Sequence, residues 1–237
     1  HEKPACRRAR AFLPVDEQKD GFRRGEESPE HLEIALVQVE PAPQMAPAAG
    51  APRTWAIPEI TTLGDLADTL RMHPDDLGWL ISRGKTEHYR HRWQAKPKSG
   101  RFRLIESPKV LLKFAQRQVL RKILHAIPPH DAARGFRPGC SVRYFVAPHT
   151  GKEILLRFDL EDFFPSITAA RVLQIFMTAG YPESIARGLT RLTTHVAPPS
   201  VLEEMPLVWA ERRRLATPHL PQGAPTSPAL ANLSAFR

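Results

Sequence analysis

A short apolar run followed at once by carboxylates constrains the fold of this chain more than any other feature. Residues 154–158 have the length and composition of a strand that is buried on both faces. Asp159, Glu161 and Asp162 follow within four residues. A carboxylate at the end of a buried strand is costly unless a cation pairs with it. This stretch alone leaves two interpretations open, because the strand could exit into an acidic turn or Asp159 could bind a metal ion.

The overall charge favours a polyanionic partner. The 237 residues include 34 Lys and Arg against 25 Asp and Glu, a net charge of +9. No apolar run is long enough to span a bilayer, so we expect no membrane partner. Cys6 and Cys140 are far apart and lack metal-binding spacing, which favours a reduced, cytoplasmic protein. The chain starts at His1 and Arg237 falls within a helical pattern, so we expect a fragment of a longer protein.

The N-terminal part divides into two segments. Residues 1–53 contain a basic cluster and a Pro/Ala-rich linker, which predicts a disordered or accessory segment. Residues 54–86 predict a pair of short helices, the first starting at a capping box of Thr62 and Asp65. A helix-turn-helix DNA-binding module is an alternative here. However, the second helix would begin with Asp75 and Asp76, whose side chains would repel phosphates.

A strongly basic hairpin with interleaved aromatic residues is predicted next. Lys98–Arg101 reads as a turn containing glycine, and residues 101–105 alternate as a strand does. Alternation places the cations on one face and apolar side chains on the other, namely Arg101 and Arg103 against Phe102 and Leu104. Such a hairpin can bind phosphates. The alternative is a solvated basic edge strand.

The remaining elements are predicted from helix signals and loop composition. Ser107 is the expected N-cap of a helix that runs to Ile127. Residues 134–141 form a loop with two glycines and two arginines, suited to close approach of a phosphate or base. Ser227 is the expected N-cap of the last helix, after a Pro/Gly turn. Two further helices are predicted over residues 168–179 and 182–195.

Five motifs in order resemble those of bacterial reverse transcriptases, the retron and group II intron types above all. Phe158–Ile167 resembles the first palm motif, and Leu220–Pro228, with its Pro-Gln-Gly-Ala-Pro-Thr-Ser-Pro sequence, resembles the second. The hairpin Lys96–Ile105, the helix containing Gln116 and the loop Arg134–Gly139 are similar to the finger motifs. The resemblance covers about residues 60 to 237.

The resemblance implies an α+β fold with right-hand polymerase fingers and an incomplete palm. The palm is expected as an antiparallel sheet with packed helices, after a largely disordered N-terminal segment. Residues 87–153 would be the fingers and residues 154–237 the partial palm. The implied activity is RNA-directed DNA synthesis with two Mg²⁺ ions in the complete active site. The implied partners are an RNA template, a DNA primer and dNTP, with a structured non-coding RNA in the retron type.

The resemblance also implies roles for individual residues. Asp159 would be the first catalytic aspartate and a Mg²⁺ ligand, with the Leu160 carbonyl as a further ligand. Asp162 and Phe163 would lie under the triphosphate through their backbone N–H groups, and Phe164 would be the steric gate against a ribose 2′-hydroxyl. Glu161 is expected to be a solvated bystander. Lys96 and Arg103 would bind the triphosphate, and Arg101 is an alternative to them in this role. Gln222 and Gly223 would lie beside the nucleotide. The loop residues implied to contact nucleic acid are Arg134, Gly135, Phe136 and Arg137.

Two departures from the family pattern affect the functional expectation. The Tyr-x-Asp-Asp sequence with the second aspartate pair is absent from the 237 residues, so we expect this chain alone to be inactive. The Asn-Ala-x-x-His signature of retron enzymes is reduced to His149. Other bacterial reverse transcriptases, including phage-defence relatives without retron RNA, therefore stay open. A non-catalytic nucleic-acid-binding scaffold is the alternative function.

Overall fold

The computed structural model describes residues 55–82, 88–97 and 100–235. The predicted segment 1–53 therefore lies outside the described residues. Two strands form an antiparallel hairpin, β1 (Tyr89–Ala95) and β2 (Phe102–Pro108). Two short 3₁₀ turns cover Leu124–Ala126 and Ala147–His149. The helices of the described residues are α1 (Leu63–Leu70), α2 (Pro74–Ile81), α3 (Val110–Lys122), α4 (Val142–Val146), α5 (Phe163–Ser166), α6 (Ala169–Thr178), α7 (Glu183–Thr193), α8 (Pro199–Glu203), α9 (Trp209–Ala216) and α10 (Ser227–Ser234).

The predicted capping box starts α1. The Thr62 hydroxyl accepts from the Asp65 N–H at 3.1 Å, and the Asp65 carboxylate accepts from the Thr62 N–H at 2.9 Å. These bonds, with those from Thr61, hold the pKa of Asp65 down to about 2. Helices α1 and α2 both bury leucines in the main core, and Asp75 and Asp76 are exposed at the start of α2. The pair is therefore part of the core packing.

One hydrophobic core joins α1, α2, α3, α6, α7 and α10. Its fully buried side chains include Phe176 on α6, Leu189 on α7 and Leu230 on α10. The predicted helices over 168–179 and 182–195 are confirmed as α6 and α7. None of the helices among the described residues is long and apolar enough to cross a bilayer.

The hairpin packs on a second, smaller cluster that connects it to α8 and α9. Leu104 of β2 is buried there with Val201, Leu202 and Leu215. The alternation predicted for β2 is correct for Leu104, but Phe102 is 45% exposed. The buried face continues instead to Glu106, which is fully buried. A carboxylate thus lies on the core side of the strand.

Two predicted helix starts are wrong by a few residues. Ser107 and Pro108 continue β2 and pair with β1, so α3 begins at Val110. Proline is tolerated at a strand end, where its missing N–H costs no ladder bond. Ser227 does not cap α10, because its hydroxyl donates to the Pro221 carbonyl at 2.7 Å. Thr226 is the N-cap residue.

The strand predicted over residues 154–158 is not formed. These residues are extended and exposed, with Ile154 at 78% and Phe158 at 85% exposure. A strand needs a neighbour to pair its N–H and C=O groups, and no strand lies beside this segment in the part of the chain that the structure describes. Residues 154–235 contain only isolated bridges of His219 with Thr168 and His195. Among the described residues, the antiparallel sheet is therefore the finger hairpin alone.

Candidate nucleotide-binding site

A cation of the hairpin meets a carboxylate of the first palm motif. The Lys96 N–H donates to the Arg101 carbonyl at 2.7 Å, which closes the hairpin just beyond β1. The Lys96 Nζ lies 2.9 Å from Asp162 Oδ1, and both side chains are largely buried. Arg214 Nη2 of α9 lies 3.7 Å from Asp162 Oδ2. Two cations from separate elements thus converge on Asp162.

The local backbone explains why Asp162 points toward the hairpin. Asp162 has a left-handed conformation (φ 48°) immediately before the single turn of α5. Aspartate tolerates this region because its short polar side chain can form local hydrogen bonds. Phe163 and Phe164 are half-buried and pack against the main core, with ring centroids 6.3 Å apart. Anchoring of α5 by these rings places Asp162 at the hairpin.

A narrow cleft brings several predicted nucleotide-binding residues together. Its lining includes Arg103 of β2, Asp162, Gln222 and the α9 residues Glu211 and Arg214. Arg103 Nε donates to Gln94 Oε1 at 3.2 Å, which orients its guanidinium along the hairpin. The cleft thus joins the hairpin, the first palm motif and the Pro-Gln-Gly turn.

The carboxylates beside the cleft are paired with cations. Arg101 forms an ion pair with Glu161, and its Nη2 lies 3.9 Å from Glu211 Oε1. Glu161 is thus solvent-exposed, as expected, and is also an ion-pair partner of Arg101. Glu161, Asp162 and Glu211 could bring one oxygen each within 4.8 Å of one another. Their pairing with Lys96, Arg101 and Arg214 neutralises this acidic group.

The Pro-Gln-Gly turn packs directly on β2. The Glu106 N–H donates to the Gln222 carbonyl at 2.8 Å, and the Gln222 N–H donates to Glu106 Oε2 at 3.4 Å. Gly223 has φ +131°, and a Cβ there would lie 3.0 Å from the Glu106 carbonyl oxygen. Glycine is required because a side chain would both strain the backbone and crowd β2. This close approach fixes Gln222 in the cleft.

Asp159 and Leu160 lie outside this cluster. Both are exposed, and Asp159 has no hydrogen bond or ion pair within the described residues. Their carboxylate and carbonyl oxygens are the hard donors that Mg²⁺ prefers, together with substrate phosphates. The donor chemistry therefore fits Mg²⁺.

The loop predicted to contact nucleic acid lies apart from the cleft. Arg134 stacks over the Tyr144 ring at 3.9 Å, and the Gly135 carbonyl accepts from Asn232 Nδ2 of α10 at 2.8 Å. Phe136 is 73% exposed with φ 57°. Arg137 donates to the Ala133 carbonyl at 3.3 Å. None of these loop residues lines the cleft.

The sequence did not lead us to predict a buried cluster of histidines and a glutamate behind the Pro-Gln-Gly turn. Glu106 and His219 are both fully buried, and His219 Nε2 lies 3.1 Å from Glu106 Oε2. His91 and His195 complete the cluster, with their Nε2 atoms 2.8 Å apart. Burial lowers the pKa of His195 to about 3, assisted by the neighbouring histidines. The alternation in β2 could have predicted a buried carboxylate, because Glu106 lies on the same face of the strand as Leu104.

Comparison with known proteins places these features in a family. Residues 94–235 match the family described as reverse transcriptase (RNA-dependent DNA polymerase). The chain therefore belongs to the reverse transcriptase family. Strand β2 and the two palm motifs fall within the matched region.

The similarity extends specifically to bacterial retron enzymes. Retron Mx65 reverse transcriptase of Myxococcus xanthus is 37% identical over 186 residues, covering 77% of this chain and 43% of the relative. Retron Mx162 reverse transcriptase of the same organism is 33% identical over 182 residues, with coverages of 76% and 37%. Retron Ec86 reverse transcriptase of Escherichia coli is 34% identical over 184 residues, with coverages of 76% and 50%. The chain is thus similar to bacterial retron reverse transcriptases and spans half or less of the length of these relatives.

Proposed function

We propose that this chain supplies the fingers (residues 87–153) and part of the palm (residues 154–237) of an RNA-directed DNA polymerase. The observation that supports this most strongly is the 2.9 Å contact between Lys96 and Asp162. It joins the first palm motif to a hairpin cation beside the cleft that Asp162 and Gln222 line. These three residues come from the motifs on which the family resemblance rests.

The incoming triphosphate would replace the carboxylates as the binding partner of the cations at the cleft. Lys96 and Arg103 would bind phosphate oxygens, with Arg101 beside them, because charge-assisted bonds to phosphate are strong. Backbone N–H groups of Asp162 and Phe163 would donate to the same phosphates. Gln222 and Gly223 would border the base and sugar. The carboxylates that now pair with Lys96 and Arg101 would hold these two side chains in place until the nucleotide arrives.

Asp159 and the Leu160 carbonyl would bind Mg²⁺. Two bound Mg²⁺ ions would activate the primer 3′-hydroxyl and neutralise the leaving pyrophosphate. Residues 1–237 contain no Tyr-x-Asp-Asp sequence. We therefore propose that catalysis requires this second aspartate pair in addition to Asp159.

RNA template and DNA primer are the proposed macromolecular substrates. The net charge of +9 favours binding of a nucleic-acid backbone. The exposed Phe136 ring, between Arg134 and Arg137, is suited to stacking on an unpaired base. The relatives named as retron enzymes extend this proposal to a structured non-coding RNA. Such a role would place the protein in the cytoplasm.

The direct test is primer extension on an RNA template, using a polypeptide that includes both residues 1–237 and the second aspartate pair. We expect template-dependent DNA product with dNTP and Mg²⁺. RNA binding without any nucleotide incorporation would contradict the proposal and would indicate a non-catalytic scaffold instead.

Phe164→Val should weaken the exclusion of ribonucleotides. Loss of the ring would remove steric rejection of the 2′-hydroxyl, and we expect the ratio of dNTP to rNTP incorporation efficiency to fall at least about tenfold. Single-nucleotide incorporation assays measure this ratio. Phe145→Val is the control, because Phe145 is exposed and outside the cleft. An unchanged ratio in Phe164→Val would show that Phe164 is not the gate.

A further inference from the structure

We propose that His91, Glu106 and His195 form a binding site for a divalent transition metal ion of the zinc class. The site is separate from Asp159 and lies behind the Pro-Gln-Gly turn. Each of the three residues offers one ligand atom, and these atoms all lie within 4.8 Å of one another. His91 is on β1, Glu106 on β2 and His195 just after α7, so the ion would join three distant parts of the chain.

Two cross-strand pairs assemble the site. His91 and Glu106 are directly opposite in the antiparallel register of the hairpin, which places their side chains on one face. His195 forms an antiparallel bridge with His219 through two backbone hydrogen bonds of 2.9 Å. Backbone pairing therefore fixes the Cα positions from which the side chains of His91, Glu106, His195 and His219 extend. The residues are held in place before any ion binds.

The distances between the ligand atoms suit one ion. Two donors at the usual bond lengths on a tetrahedral Zn²⁺ lie about 3.3 Å apart. The His91 and His195 Nε2 atoms are 2.8 Å apart, and His195 Nε2 is 3.9 Å from Glu106 Oε1. Shifts of about half an ångström would bring both pairs to the tetrahedral spacing. The Tyr89 ring packs on the His195 ring at 4.1 Å and limits its rotation.

Glu106 provides an independent indication of a ligand. Its Oε2 is occupied by His219 Nε2 and the Gln222 N–H. Its Oε1 is buried and has no hydrogen-bond partner within the described residues. A buried acceptor without a partner is costly, and such groups need an explanation such as an ion. A metal bound at Oε1 would satisfy it.

The supporting contacts match those of known metal sites. Ligand carboxylates in proteins are usually themselves hydrogen-bonded, as Glu106 is by His219. The His219 Nδ1 must donate to the Thr217 carbonyl at 2.7 Å, because that carbonyl only accepts. This bond orients the His219 ring toward Glu106. Two imidazoles with one carboxylate favour zinc-class ions over Mg²⁺ or Ca²⁺, and three protein ligands leave the fourth position open.

In the metal-free protein the two Nε2 atoms share one hydrogen, so one imidazole donates and the other accepts. Binding the ion requires both Nε2 lone pairs, so the shared hydrogen must move to Nδ1 of its own ring. Because His219 Nδ1 donates to Thr217, the contact of His219 Nε2 with Glu106 Oε2 holds a second hydrogen, which must lie on His219 when Glu106 binds the ion. No proton then has to leave the protein. The ion would then cross-link β1, β2 and the segment after α7, next to the turn that contains Gln222.

The test is zinc binding to the full 237-residue chain, measured by competition with a chromophoric chelator and by the visible spectrum with Co²⁺. We expect one Zn²⁺ per chain and the strong absorption of tetrahedral Co²⁺. His91→Gln removes a half-buried ligand on the hairpin. Loss of a supporting contact alone weakens metal sites about 10- to 100-fold, so loss of a ligand should weaken zinc binding at least about 100-fold.

Two control variants make the test decisive. His125→Gln changes an exposed histidine outside the cluster and should leave zinc affinity unchanged. Asp159→Asn should also leave it unchanged, which separates this site from the proposed Mg²⁺ site. Circular dichroism checks that each variant is folded. The proposal is overturned if the chain binds no stoichiometric zinc, if His91→Gln binds zinc as tightly as the parent, or if Asp159→Asn abolishes binding.

Discussion

Asp159→Asn is expected to reduce RNA-templated primer extension at least about a thousandfold, equivalent to roughly 4 kcal/mol in the activation barrier. The amide keeps the size of the carboxylate but removes the negative charge through which Asp159 would bind Mg²⁺. Asp159 is exposed and has no partner among the residues described. The substitution should therefore leave the fold intact, so that lost extension reports on chemistry rather than on stability.

Glu153→Gln is the matched control for this variant. Glu153 lies in the same exposed segment, six residues before Asp159, and has no proposed role. Its extension rate should stay within about twofold of the parent, since surface changes of this kind have small effects. Extension by Asp159→Asn at the parental rate would remove Asp159 from the catalytic centre.

Glu106→Ala is expected to lower the free energy of unfolding by about 3 to 5 kcal/mol. Glu106 and His219 are fully buried partners, 3.1 Å apart. Removing the carboxylate would leave His219 Nε2 buried without a partner, and it would also open a cavity behind β2. The Gln222 N–H would lose its contact with Glu106 Oε2 at the same time.

Urea unfolding in the presence of a chelator measures this effect without any contribution from bound zinc. Glu203→Ala, on the exposed side of α8, is the control and should change stability by less than about 0.5 kcal/mol. The double variant Glu106→Leu, His219→Leu should recover part of the loss, because apolar side chains can replace a buried polar pair. If Glu106→Ala is as stable as the parent, the pair does not hold the turn on β2.

Local sequence signals predicted the elements whose stability is local. The capping box of Thr62 and Asp65, the hairpin closed at Lys96 and Arg101, and the two helices α6 and α7 depend on nearby residues. The convergence of Lys96, Arg103, Asp162 and Gln222 was implied by the family resemblance and not by spacing. It depends on long-range contacts such as that between Lys96 and Asp162, which are 66 residues apart along the chain.

The failures have a common physical cause in long-range pairing. Residues 154–158 have the composition of a buried strand, but no neighbouring strand pairs with them in the described residues. Ser107 carries a helix-start signal, but pairing with β1 holds it in the strand. The cluster of His91, Glu106, His195 and His219 was not predicted, because these residues are far apart in the sequence and meet only through long-range pairing. Alternation in β2 placed Glu106 on the buried face, and that was the available signal.

The steady-state KM for dNTP in Lys96→Ala tests most directly the central claim that the contact with Asp162 marks the nucleotide site. A charge-assisted bond to phosphate is worth about 1.5 to 3 kcal/mol, so KM should rise about 10- to 100-fold. Lys113→Ala, on the exposed face of α3, is the control and should leave KM unchanged. An unchanged KM in Lys96→Ala, or an equal rise in both variants, would contradict the assignment of this cleft to the incoming nucleotide.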